Sequence, residues 1–174
     1  MAELEGDFFN KEEVRSHDSR LSHINTFLPK LIETAKEKTL GFKDHLESID
    51  PYEVRCIEDL QRIPVLRKSE LANKQKLFPP FGGFERTEEQ KTTHFFQSPG
   101  PIYEPGTRGL DWGRFAPFLY ATGVRKGMVL QNCFSYHLTP AGMMFEEGAL
   151  KIGTKVIPSG TGQTELQAKA ASFL

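Results

Sequence analysis

Residues 128–157 restrict the fold more tightly than any other part of the chain. "MVLQN" (128–132) is a short apolar run suited to a buried strand, and "TKVIP" (154–158) is a second. Between them, Thr139-Pro140 offers a capping hydroxyl and a proline at the first helical position, where its missing N–H costs nothing. Ala141, Met144, Phe145, Ala149 and Ile152 recur at helical spacing, and Gly153 is a natural stop. Strand, helix and strand within about thirty residues make a crossover unit, which pairs its strands in parallel. The expected class is α/β: a helical N-terminal region followed by βαβα units of a parallel sheet. Thr164-Glu165-Leu166-Gln167 has the form of a capping box, so a further helix is expected to begin there. A lone parallel pair leaves both edges unpaired, so the sequence reads as the first part of a larger sheet and a larger protein.

Before residue 100 the pattern is different. Leu21, Ile24, Leu28, Leu31, Ile32 and Ala35 predict a helix with Gly41 as its stop, and Pro29 predicts a kink or a division into two helices. Asp50-Pro51 marks a turn. "IEDLQRIPVLRKSELANK" predicts two short helices around Pro64, the second capped at Lys68-Ser69, and "FPPFGGF" is a loop. "LDWGRFAPFLYATG" puts Trp112, Phe115, Leu119 and Thr122 on one helical stripe that Pro117 should bend and Gly123 should end. The expected organisation is a helical and loop region over 1–97, a glycine- and proline-rich segment over 98–106, and the start of an α/β subdomain over 107–174.

Composition narrows the function. The 174 residues are 38% hydrophobic and 26% charged, which describes a packed core rather than a disordered chain. A formal net charge of −1, with no basic stripe, gives no field for nucleic acid or an anionic membrane. The start "MAELEGDFF" lacks the basic n-region and apolar core of a signal peptide, so none is expected, and no apolar run has the length of a membrane-spanning helix. Cys56 and Cys133 lie far apart and in no redox or metal spacing; they read as buried free thiols of a cytoplasmic protein. The histidines show no ligand spacing, so no metal site is expected.

The segments "LPKLIETA", "IEDLQRIPVLRKSEL", "FPPFGGF", "GVRKGMVLQN" and "GALKIGTKVIPSGTGQTELQ" occur in an order that resembles the phenylacetate–CoA ligase family of the adenylate-forming superfamily. The resemblance runs from about residue 20 to the end. It implies the first part of the large N-terminal domain of an AMP-forming carboxylic acid–CoA ligase: acid and ATP give an acyl adenylate, which then acylates coenzyme A. ATP with magnesium, coenzyme A and a small carboxylic acid are the implied ligands, and a homodimer is allowed. Family members are more than twice as long. The residues that hold adenine and ribose, and the C-terminal lysine, would lie beyond Leu174, so catalysis by these residues alone is not expected. The alternative is a non-catalytic, adenylation-like binding module.

That alternative comes from "SPGPIYEPG" (98–106). The superfamily's phosphate loop reads roughly Ser-Ser-Gly-Thr-Thr-Gly-Lys-Pro-Thr, and by resemblance Ser98, Gly100 and Pro105 agree with it. Pro99 replaces a serine, Pro101 and Ile102 replace the threonines, Tyr103 replaces a glycine and Glu104 replaces the lysine. Phosphate loops work through backbone N–H groups, hydroxyls and a cation. Proline has no N–H, and an acid repels a triphosphate. The loop is expected to bind ATP weakly if at all. "SGTGQTE" (159–165) also pairs glycines with a helix start, but the resemblance makes it a turn feeding a helix.

No catalytic residue is assigned. "NCFSYHLTPAG" (132–142) follows the first strand at its C-terminal end, where α/β sheets bind ligands. By resemblance this segment lines the acid pocket. Phe134 matches an aromatic position, and Thr139 stands where phenylalanine is usual, which points away from phenylacetate toward a larger or more polar acid. Tyr136 and His137 could hydrogen-bond a carboxylate or carbonyl, and imidazole suits proton traffic near neutral pH.

Overall fold

The computed structural model describes residues 6–86, 92–109 and 111–174. The first five residues of the acidic start, and Leu110 at the head of the Trp112 segment, lie outside the described residues. The chain divides into two compact units. One comprises residues 1–14, 92–99 and 106–174, and the other 15–91 and 100–105.

The second unit is helical. Helix α1 (His17–Lys38) is capped by the Ser16 hydroxyl, which accepts from Ser19 N, and it runs unbroken through Pro29. Of the two outcomes Pro29 allowed, a kink or a division, the continuous helix removes the division, and it stops at Lys38 rather than at Gly41. Thr39 then turns the chain and caps α2 (Leu40–His45), so Gly41 sits inside a second helix. Its lack of a side chain is required there, because a Cβ would lie 2.8 Å from the Phe84 ring. Gly41 N also donates to Gly83 O, so "FPPFGGF" is a loop that folds onto α2.

Asp50 accepts from Tyr52 N at the expected turn, which opens a short 3-10 helix (Pro51–Glu53). The two short helices around Pro64 are a 3-10 helix (Ile57–Arg62) and α3 (Lys68–Leu77). The start of α3 differs by one residue from the sequence reading: Arg67 is the cap, and its N–H donates to Glu70. Leu28, Ile32, Leu46 and Val54 form this unit's core, flanked by Phe42, Ile49 and Ile63.

Strand β1 (His94–Ser98), a turn over 99–101 and β2 (Ile102–Gly106) follow. Helix α4 (Phe115–Ala121) starts later than the stripe predicted, and Trp112 precedes it. Pro117 therefore falls in the first turn, where no intrahelical N–H partner exists, so no bend is required. The carboxylate of Asp111 caps this helix, accepting from Phe115 N and Ala116 N.

Strand β3 (Val129–Gln131), helix α5 (Ala141–Ile152) and strand β4 (Lys155–Ile157) form the expected crossover. The strands are parallel, with Leu130 opposite Val156. Gly153 ends α5 in the left-handed region at φ 95°, as its position suggested. Thr139 does not cap α5: its hydroxyl donates to Ser135 O, and Pro140 occupies the cap position.

Helices α4 and α5 meet where side chains are smallest. A Cβ on Gly148 would lie 2.7 Å from Phe115 Cβ, and Ala116 and Ala149 are fully buried. Leu119, Tyr120 and Ile152 complete this core. Burying such a side chain contributes about 1.5–3 kcal/mol.

Helix α6 (Thr164–Phe173) begins as expected, but Gln163, with left-handed backbone, holds the cap position, so Thr164 is already helical. Gln167 is thereby released from the expected capping box. No helix among the described residues is long and apolar enough to cross a membrane.

Candidate functional site

A cleft of about 460 Å³ opens at the C-terminal end of β3. Leu119 of α4, Leu130, Phe134 and Phe145 of α5 supply its apolar walls, and Gln131, Asn132 and Cys133 its polar edge. Phe134 stacks on Phe145 with ring centroids 4.2 Å apart and an interplanar angle of 17°. Phe145 also meets Phe115 at 4.6 Å, so the aromatic wall is backed by the core rather than free to collapse.

Asn132 holds the cleft's shape. It is only 2% exposed. Its Nδ2 donates to Tyr136 Oη and to Gly142 O, both at 2.7 Å, and its Oδ1 accepts from Phe134 N at 3.2 Å. Its backbone N–H donates to Ile157 O of β4, and its carbonyl accepts from Gly160 N. One side chain and one peptide thus join the ends of both strands, the start of α5 and the glycine loop after β4. Because Asn132 is buried, losing any of these bonds would leave an unpaired polar group.

Two further residues close the arrangement. Tyr136 Oη donates to Glu146 Oε2 at 2.7 Å, and burial, with that carboxylate second, pushes the phenol well above its ordinary range. A half-buried neutral phenol of this kind is a fixed hydrogen-bonding post. Gly142 must lack a side chain, since a Cβ would lie 2.7 Å from Ser135 O and 2.9 Å from the Tyr136 ring.

The candidates named from sequence fall into separate places. Phe134 lines the cleft. Tyr136 braces it through Asn132, whereas Thr139 turns its hydroxyl to Ser135 O. His137 is exposed, and its backbone is held by the Ser135 hydroxyl and by Thr139 N. Cys133 is exposed at the cleft edge and Cys56 is half-buried, so neither is the buried thiol expected; both are free. Asn132 and Phe145 were missed as site residues. The signal for Asn132 was its position directly after an apolar strand; Phe145 was hidden among the helix's core residues.

The segment 98–106 has another character. Ser98 ends β1, Gly100 lies in the turn, and Glu104 and Pro105 belong to β2. Gln75 of α3, 7% exposed, clamps Tyr103: its Nε2 donates to Tyr103 O and its Oε1 accepts from Tyr103 N, both at 2.8 Å. The Tyr103 N–H is thus already occupied, and the three prolines of 98–106 have none. The Lys68 ammonium lies 3.1 Å from where a Gly100 Cβ would stand. On the other side of the turn, Gln97 N donates to Leu138 O, tying β1 to the cleft loop.

Solved structures share this architecture. 2-Hydroxyisobutyryl-CoA ligase in its postadenylation state, in complex with 2-HIB-AMP, superposes with a TM-score of 0.87 over 99% of this chain and 38% of its own, at 19% identity. An open conformation of that ligase with 2-HIB-AMP and CoA gives the same TM-score, with 42% of its chain covered. The fold is therefore that of an adenylate-forming CoA ligase.

Sequence relatives narrow the class. Phenylacetate-coenzyme A ligase of Thermus thermophilus is 32% identical over 126 residues, 68% of this chain and 27% of the relative. Its counterpart from Pseudomonas putida is 30% identical over 124 residues, 67% and 27% of the two chains. The chain belongs to the phenylacetate–CoA ligase-like family of the adenylate-forming superfamily. It spans about a quarter of the length of these curated relatives. No protein-family profile matches it.

Proposed function

We propose that this chain supplies the acyl-binding part of an AMP-forming carboxylic acid–CoA ligase. In that reaction the carboxylate attacks the α-phosphate of ATP, releasing pyrophosphate and leaving an acyl adenylate. The thiol of CoA then displaces AMP to give the thioester. The observation that carries the reading is the aromatic-walled cleft at the C-terminal end of β3, braced by buried Asn132.

Within this scheme Leu119, Leu130, Phe134 and Phe145 take up the apolar part of the acid and exclude water from it. Asn132 and Tyr136 keep the walls in place. The exposed His137 is the candidate for meeting the carboxyl end. Magnesium would accompany the nucleotide's phosphates. Glu104 is the one carboxylate in the loop equivalent, and it does not make a resident magnesium site by itself. No step is assigned to the ion.

The clamp on Tyr103 supports a second reading, in which the chain keeps the acyl cleft but has lost ordinary ATP binding. Phenylacetate and the larger, more polar 4-hydroxyphenylpropionate, each titrated into the chain and followed by aromatic NMR shifts, test the shared premise. Shifts should centre on Phe134 and Phe145, and Phe134→Ala should weaken binding about tenfold, the loss of one stacked ring. Shifts confined to other residues would refute the acyl cleft. Acid-dependent exchange of pyrophosphate into ATP, measured on the native protein that carries this chain, separates ligase from binding module.

A further inference from the structure

Gln167 of α6 makes more side-chain contacts around the cleft than its place on an exposed helix would suggest. Its Nε2 donates to two carbonyls of the glycine loop, Gly160 O at 2.9 Å and Gly162 O at 2.6 Å. Its Oε1 accepts from Gln131 Nε2 at 3.2 Å and from the Cys133 thiol at 3.3 Å. Gln131 and Cys133 both line the cleft, and the glycine loop is joined to its floor where Gly160 N donates to Asn132 O. One carboxamide therefore bridges the loop over 159–163 and two residues of the cleft's polar edge.

The chemistry requires an amide. A carboxylate would set its charge against the carbonyls of Gly160 and Gly162, and an ammonium could not accept from Gln131 or Cys133. The loop it holds has left-handed backbone at Gly160, Gly162 and Gln163, which small or strained residues adopt but which no regular ladder supports. The backbone of 159–163 is tied by Ser159 N to Ile157 O, by Gly160 N to Asn132 O, and by these two carbonyl contacts to Gln167.

We propose that Gln167 is a positioning residue that sets the mouth of the cleft, acting on ligand through Gln131 and Cys133. The assignment of an acyl ligand rests on the function proposed above; the geometry of the mouth does not. In Gln167→Ala the Cys133 thiol loses its nearer acceptor, keeping only Gln131 O at 4.0 Å, and the loop loses its side-chain tether. Alkylation of Cys133 by iodoacetamide should then run roughly threefold or more faster than in the wild-type chain. In Gln167→Glu the carboxylate beside the thiol disfavours the thiolate, and Cys133 should react roughly threefold more slowly.

Opposite signs in the two variants are a signature that simple loosening of α6 would not give. Cys56, resolved by peptide mapping, is the internal control and should keep its rate throughout. Affinity for whichever of phenylacetate and 4-hydroxyphenylpropionate binds should fall at least about fivefold in Gln167→Ala, since an ordered pocket binds better than a loose one. Equal Cys133 rates in all three chains, or unchanged affinity in Gln167→Ala, would overturn the proposal. If neither acid binds the wild-type chain, the acyl reading falls, and the alkylation rates still decide where Gln167 is held.

Discussion

Around Asn132 polar groups converge to shape a space, whereas around Tyr103 they are consumed in fixing a strand. In the first region a buried amide joins two strand ends, a helix start and a loop, and leaves an apolar cleft beside them. In the second, the buried amide of Gln75 takes both backbone groups of Tyr103, and prolines remove further donors. A buried amide braces a pocket in one place and fixes the backbone of one strand in the other. What decides is whether the amide's partners belong to elements that diverge, as after β3, or to one extended strand.

That contrast can be broken most directly at Asn132. Asn132→Ala removes the donors to Tyr136 Oη and Gly142 O and the acceptor of Phe134 N, and should cost about 2–3 kcal/mol, read as a lower urea midpoint. An unchanged midpoint would mean that the cleft is not held by this residue. Gln75→Ala should cost less, about 1–2 kcal/mol, because the strand it clamps is partly exposed. Its sharper readout is hydrogen exchange, in which the Tyr103 amide should lose protection. The smallest effect is expected from Glu104→Lys. Restoring the cation without the N–H groups should change Mg-ATP affinity only about twofold, the scale of one partly exposed charge. Micromolar ATP binding in that variant would show that charge alone had disabled the loop.

The crossover of β3, α5 and β4 was legible because apolar runs, helical spacing and a terminal glycine all agreed. Prolines misled where position within a helix mattered. Pro117 sits in a first turn and so needs no bend, and Pro29 lies inside a continuous helix, which removes only the division it allowed; neither position is written in the residues alone. Gln167 was read as half of a capping box because its spacing from Thr164 fits one. The left-handed Gln163 shifted the helix start, and the side chain went to the cleft mouth instead. Phe134 was identifiable through the family resemblance, while its stacking partner Phe145 was not.

Sequence by itself determined the strand–helix–strand–helix order after residue 128 and the family, since each depends on local residue identity; the strands His94–Ser98 and Ile102–Gly106 were not among its elements. Tertiary structure alone decided what those residues do for one another. That Gln75 would occupy Tyr103, that Asn132 would join four segments, and that Phe145 would turn from the core toward Phe134 are contacts between residues distant in sequence or on different elements. Periodicity and propensity describe a residue's own backbone and carry no information about which partner will meet its side chain.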